Sequence, residues 1–236
     1  MRTGTPASSP IGAERQTVGV RIVLAGAALL AAGSAALADP GREQIKLNAR
    51  DQAAARATVL RRSDLGSSGG WTGGRVKPDL SPPPTCANYH PKQSDLALTG
   101  VAASSFRNGP VAFQNEVQVL QTRRMVSLDW RREVLAPGTI PCQRRALARS
   151  LGPSAKVVSF KRIAFPRVAR YVAELRGLVD VSLPGGKTAH LVVDAVLLGQ
   201  SRTEISFTVV APAAERVSLR AAERRLARRV VHRVRA

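Results

Sequence analysis

Aromatic side chains are scarce: Phe, Trp and Tyr make up only 4% of the residues. A large aromatic core is therefore excluded, and any core must be built from Val, Leu, Ile and Ala. Acidic residues are also few, 16 against 36 basic ones. Paired carboxylates for acid–base work consequently have few candidates. Only three histidines occur, His90, His190 and His232, and none stands at metal-ligand spacing from another. No G-x-x-x-x-G-K-[ST] phosphate loop and no G-x-S-x-G nucleophile elbow is present. A Ser-His-Asp set assembled from distant segments is not addressed by that absence, because such triads are geometric. Beyond the N-terminal region there is no long apolar run of the kind that crosses a bilayer.

One apolar run does exist, Ile22–Leu37, and it carries no charge. At about 16 residues it is shorter than the ~20 that a spanning helix uses. Arg2, Arg15 and Arg21 precede it, and Ala36-Leu37-Ala38 closes it with a small-x-small site ahead of Asp39-Pro40. Basic start, short apolar centre and A-x-A end are the three parts of a secretory signal. The competing reading is a retained anchor. No Cys follows the run and no Arg-Arg pair precedes it, which argues against lipoprotein and twin-arginine routes. The expectation is a signal peptide over 1–38, then a helical arm over 39–63 and a single domain over 64–236. Removing the signal leaves about 198 residues, the size of one ordinary domain with an arm.

Export changes how the two cysteines are read. Cys86 and Cys142 form an even, small set, which outside the reducing cytosol reads as a disulfide. Pairing them closes a loop of about 57 residues, worth roughly 4 kcal/mol in the chain-entropy picture. Neither lies in a C-x-x-C pair, so no metal site and no cofactor is expected of them.

The formal net charge is +20. Lysine is sparse, so the charge is mainly arginine. Such a field attracts polyanions of any kind, though a surplus of Arg can also follow from codon usage. The densest stretch is the C-terminal helix, where Arg224, Arg225, Arg228 and Arg229 are the candidate polyanion-binding residues, for an anionic polymer or membrane surface. No aromatics interleave with these arginines, which disfavours a single-stranded nucleic-acid platform.

Residues 41–63 are rich in helix formers with a weak apolar stripe through Ile45, Ala49, Ala53, Ala57 and Leu60. Residues 64–92 read as an irregular stretch, rich in Gly and Pro, that needs a staple. Trp71 lies in it among glycines, either as a plug over one end of the core or as a stacking surface. Strand patterns follow at 95–103 and 111–122, the latter with Phe113, Val117 and Val119 inward. Residues 123–135 turn helical, with Trp130 near the apolar face, and a short helix runs from Pro141 to Leu151. Four strand candidates come next, at 156–165, 168–183, 187–198 and 202–210, the last two alternating strongly. The C-terminal helix opens at Ser218 as N-cap, with Glu223 as early negative charge. Its stripe is Leu219, Ala222, Leu226, Val230 and Val234. Short turns make consecutive strands antiparallel. The expected fold is therefore α+β: an antiparallel sheet of five or six strands flanked by helices, with an N-terminal signal helix.

Asp180, Asp194 and Glu204 lie on these strands, where Arg or Lys neighbours offer simple pairing. His190 and Asp194 share a strand face but stand about 13 Å apart, beyond a direct hydrogen bond. No catalytic residue is assigned.

The order of parts has a likeness. Asp64-Leu65 precedes Gly70-Trp71, a cysteine-bearing loop follows, and the chain ends in LVVDAVLLGQSRTEISFTVVAP and then SLRAAERRLARRVVHRV. This resembles the extracellular sensor domains of actinobacterial PknH-type kinases and their exported relatives over about residues 54–236. Asp194 and Gly199 match the pattern D-x-hydrophobic-x-x-G in that family. The resemblance implies a PsbP-like α/β sandwich and non-enzymatic binding of a ligand or partner at the cell envelope. Those domains often carry two disulfides, whereas this chain can form one. The expected ligand site is a cleft between sheet and helices near Trp71, Tyr89 and the Cys86 loop. A polyanion-binding protein and a hydrolase with a scattered site are the competing expectations.

Overall fold

The computed structural model describes residues 42–66 and 69–235 of the chain. The expected signal peptide lies outside them. Among the described residues, no helix is long and apolar enough to cross a membrane.

Alternation of apolar and polar residues builds the sheet as anticipated. Six long strands form it: β3 (Ala97–Asn108), β4 (Val111–Leu120), β5 (Ala155–Ile163), β6 (Tyr171–Ser182), β7 (Thr188–Gln200) and β8 (Thr203–Pro212). β4 and β8 each bury every second residue. Two further strands, β1 (Gln44–Ile45) and β2 (Thr72–Val76), lie along the free edge of β3. The sheet order is β1-β3-β4-β8-β7-β6-β5, with β2 also on β3. The expectation of five or six antiparallel strands is thus corrected twice. The sheet has eight strands, and β1 runs parallel to β3. Both extra strands escape pattern reading for one reason. β1 has two residues and TGGRV carries no apolar alternation, so backbone pairing with β3 alone makes them strands.

Helices cover both faces. α1 (Ala49–Thr58) and α4 (Arg216–Arg235) pack on one face. There, Ala55, Val59 and Leu60 join Phe113, Val117, Ile205, Phe207, Leu226 and Val230 in the main core. The segment expected as a helical arm over 39–63 is accordingly shorter in its helix and packed into the body. Asn48 caps α1, its Oδ1 accepting from the Asp51 N–H at 2.9 Å. Asp51 then ties α1 to the β7–β8 turn through Arg202, with a closest N–O distance of 2.6 Å. Gly100 makes room for this helix, since a Cβ there would stand 2.2 Å from the Asp51 carbonyl oxygen.

The opposite face carries α2 (Arg123–Asp129), a π-helical turn Trp130–Val134 and α3 (Thr139–Leu151). Thr122 caps α2 at Met125 N–H. α4 starts at Arg216, after a 3₁₀ turn, rather than at Ser218. Ser218 lies inside the helix, and its hydroxyl donates to the Glu215 carbonyl instead of capping. Cys86 and Cys142 are joined, with Cα atoms 5.7 Å apart, and the bond clips the 79–93 segment to α3.

Candidate functional site

The two sheet faces differ in chemistry. The face under α1 and α4 is filled, and apolar apart from a buried charged cluster on β6, β7 and α4. The other face carries the polar half of β4 and β8 beside apolar residues of β6 and β7, and α2, the π-turn and α3 roof it without filling it. A cavity of about 300 Å³ remains between them. Its floor is Glu116 and Gln118 of β4, Glu204, Ser206 and Thr208 of β8, Ala195 and Leu197 of β7 and Leu175 of β6. Its roof is Asp129, Trp130, Glu133, Val134, Thr139 and Gln143. A second cavity of about 260 Å³ shares Glu116, Gln118 and Glu133 and extends to Glu43, Gln93 and the 79–84 segment.

Strand register and the π-turn assemble this cleft. β4 and β8 pair so that Gln118 stands opposite Glu204 and Glu116 opposite Ser206. Gln118 donates to Glu116 at 2.8 Å. The π-turn closes with Leu135 N–H donating to the Trp130 carbonyl, one residue wider than an α-turn. Its widening turns Asp129, Trp130 and Glu133 toward the sheet together. Tyr89 and Thr139 hydroxyls hold its end by donating to the Glu133 carbonyl at 2.8 and 2.7 Å. Arg132 points away and pairs with Asp95 at 2.6 Å.

The cleft is acidic. Glu133 and Glu204 are close enough to Asp129 for their charges to act on one another. Gln93 donates to Asp129 Oδ1 at 2.7 Å. Burial pushes the Asp129 carboxyl up, and pushes Glu133 and Glu204 well above the usual carboxylate range, with the charge of Asp129 adding to both. Glu116 is raised by burial, and Glu43 is pushed up to about 7 by burial and then by Asp129 and Glu116. Two acceptors, Glu204 Oε1 and Gln93 Oε1, are sealed from solvent without a hydrogen-bond partner.

A second buried carboxyl cluster lies on the other face. Glu174, Asp194 and Glu223 place oxygens within 4.8 Å of one another. Arg176 already occupies the position a cation would take: its Nε and Nη2 meet Asp194 at 2.7 and 2.5 Å, and Nη2 stands 3.3 Å from Glu174. Glu223, expected as early negative charge in α4, is 2% exposed, and burial and then Asp194 push its carboxyl up to about 8.

These groups set a pH profile. Unfolded Glu43 and Glu223 release protons near 4.5, whereas the folded chain keeps them to about 7 and 8. The unfolded state therefore binds fewer protons in that window, and stability falls as pH rises from about 4.5 to 8. Asp51 and Asp95, held low chiefly by hydrogen bonds from Arg202 and Arg132, act oppositely: their contribution disappears as pH falls through the acid range. Urea midpoints should peak in mild acid, and Glu223→Gln should flatten the decline toward pH 8. A midpoint that climbs steadily from pH 5 to 8 would contradict this.

The sequence-based candidates fall in separate places. Trp71 stacks edge-on to Phe113, ring centroids 5.4 Å apart, at the rim of the α1/α4 core. It also lines a small cavity of about 290 Å³ with Arg62, Ser63, Gly66 and Gly69. Tyr89 belongs to the opposite face, is 3% exposed and has its hydroxyl engaged by Glu133. Trp71 and Tyr89 thus do not share a cleft, and Tyr89 offers no ligand surface. On α4, Arg225 and Arg228 point to solvent and Arg224 is half-buried. Arg229 reaches Asp64 at 3.5 Å, beside Arg233 at 2.5 Å. Arg220 donates to the Ala164 carbonyl. Several arginines of this helix therefore hold the fold. His190 pairs with Asp180 across the β6–β7 hairpin at 2.7 Å, in the open. Glu43, Gln93, Glu116, Asp129 and Glu133 were not singled out by sequence. Glu116 and Gln118 carried a partial signal, as the polar half of β4.

No family model matches the chain, and no curated protein matches it. Among solved structures, the extracellular domain of PknH from Mycobacterium tuberculosis aligns with a TM-score of 0.44 at 10% identity, covering 78% of this chain and 96% of that one. A protein of unknown function from Pseudomonas aeruginosa, PA94, described as a putative regulator, aligns at 0.24 with 12% identity, over 66% and 95%. The Ran-binding protein Mog1p of Saccharomyces cerevisiae aligns at 0.23 with 12% identity, over 56% and 77%. The first of these is a domain of the kind the sequence resembles.

Proposed function

We propose that this chain is an exported, non-catalytic binding module whose ligand sits in the cleft between the sheet and the α2–π-turn–α3 roof. The observation that carries the reading is the unfilled cavity itself, lined by buried polar groups and apolar side chains together. Pockets of this size and mixed lining are the usual seats of small ligands. The disulfide supports export, because such bonds persist in oxidising compartments. Binding is favoured over hydrolysis on two counts. Both cysteines are spent on each other, and no histidine lines the cleft.

The test is native mass spectrometry of the chain isolated from its own envelope, beside an Ala195→Phe variant. Ala195 lies on the cleft floor, half-exposed, so a phenyl ring there fills the site. The wild type should carry a small-molecule adduct that the variant lacks, with identical disulfide mass and circular dichroism. An adduct retained by the filled variant moves the site elsewhere. An adduct converted to product on standing favours the hydrolase.

A further inference from the structure

We infer that the ligand presents a protonated primary amine on an aliphatic chain, as a free alkylamine or as a lysine side chain of a peptide. This rests on the cleft being the binding site and names the chemistry it selects.

The first ground is charge contrast. The protein carries 36 basic and 16 acidic residues. Yet Glu116, Asp129, Glu133 and Glu204 line the main cavity with no Lys or Arg among its lining residues. A cation is drawn to this place and an anion is not.

The second ground is unmet hydrogen bonding. Gln93 is 1% exposed and has given its amide N–H to Asp129, so its sealed Oε1 is left without a donor; the residue lines the adjoining cavity, which also has Arg42 in its lining. That oxygen is an acceptor, and an ammonium group brings three donors and no acceptor. Carboxyls that now suppress each other's ionisation gain a counter-charge when it enters.

The third ground is shape. Beside the carboxyls, Trp130, Leu175, Ala195 and Leu197 line the same cavity. A bare metal ion has no use for apolar lining. Among the described residues, moreover, only Glu174, Asp194 and Glu223 bring three ligand oxygens within 4.8 Å, and they lie on the other face. An alkylammonium satisfies both kinds of lining at once, its chain against apolar side chains and its head among the carboxyls.

The full chain carrying Trp71→Phe leaves Trp130 as the fluorescent reporter of the cleft. It is titrated with hexylamine, 1-hexanol, hexanoate, calcium chloride and acetyl-glycyl-lysyl-glycinamide, with calorimetry alongside. Hexylamine should bind at least tenfold more tightly than hexanol, hexanoate should not bind, and Glu204→Gln and Glu116→Gln should each weaken the amine about tenfold. Binding of the lysine peptide as well extends the site to side chains; its failure restricts the ligand to free amines. Hexanol equal to hexylamine, with Ala195→Phe abolishing both, keeps the cleft as the site but overturns the ammonium. Calcium binding tighter than the amine overturns it likewise. If no probe binds and no native adduct depends on Ala195, the cleft reading itself falls.

Discussion

Arg176→Leu should cost about 3–5 kcal/mol of unfolding free energy, measured by urea denaturation at pH 7. Arg176 is 8% exposed and forms a bidentate pair with Asp194, which is fully buried, while also facing Glu174. Removing the guanidinium leaves Asp194 in a low-dielectric interior beside Glu223 with no counter-charge in contact, and Glu174 with only Arg220 at 4.0 Å. The acids can take up protons in response, so the loss should shrink at pH 5 and grow at pH 8. The pair joins β6 to β7 and faces α4, so unfolding should remain cooperative. A double variant, Arg176→Leu with Asp194→Leu, should lose less than the two single losses combined, because it removes the stranded charge along with its partner. A single-variant loss under about 1 kcal/mol would show that the cluster is wetter than its burial indicates.

Removing the Cys86–Cys142 bond should destabilise the protein by about 2–5 kcal/mol. For a chain of this size that is a fall in Tm on the order of 10 °C. The bond spans 56 positions and joins the proline-rich segment to α3. That segment has little regular structure to hold it, only a Cys86–Tyr89 bridge and scattered side-chain bonds. It also delivers Tyr89 to the π-turn and Gln93 to Asp129. Cys86→Ala with Cys142→Ala should therefore loosen the roof as well as the fold: hydrogen exchange should rise first at Trp130–Val134 and only later in β7. A Tm unchanged by the double substitution would mean that packing alone secures this segment.

Much of the architecture was legible in the residues. Phe113, Val117 and Val119 face the core as their spacing requires, and β6, β7 and β8 form the expected antiparallel run. The cleft was not legible. Glu204 was read only as a strand carboxylate with basic neighbours to pair with, and Glu116, Asp129 and Glu133 carried no reading of their own. Only the arrival of α2 and its π-turn over β4 and β8 turns these four carboxyls into one enclosed acidic site. The burial of Glu223 was not legible for a related reason. Its place on the core side of α4 depends on Arg176 and Asp194, which are contributed by strands far away in sequence.

Periodicity by itself determined the six long strands, the terminal helix and the inward faces of β4 and β8. It can do so because alternation and helical spacing act within a few residues of chain. What lay on each face was a tertiary decision. A polar strand face is satisfied equally by water or by a roof of other polar groups, and local sequence does not distinguish the two. The same holds for β1 and β2, whose strand state comes from the free backbone edge of β3 and not from their own side chains.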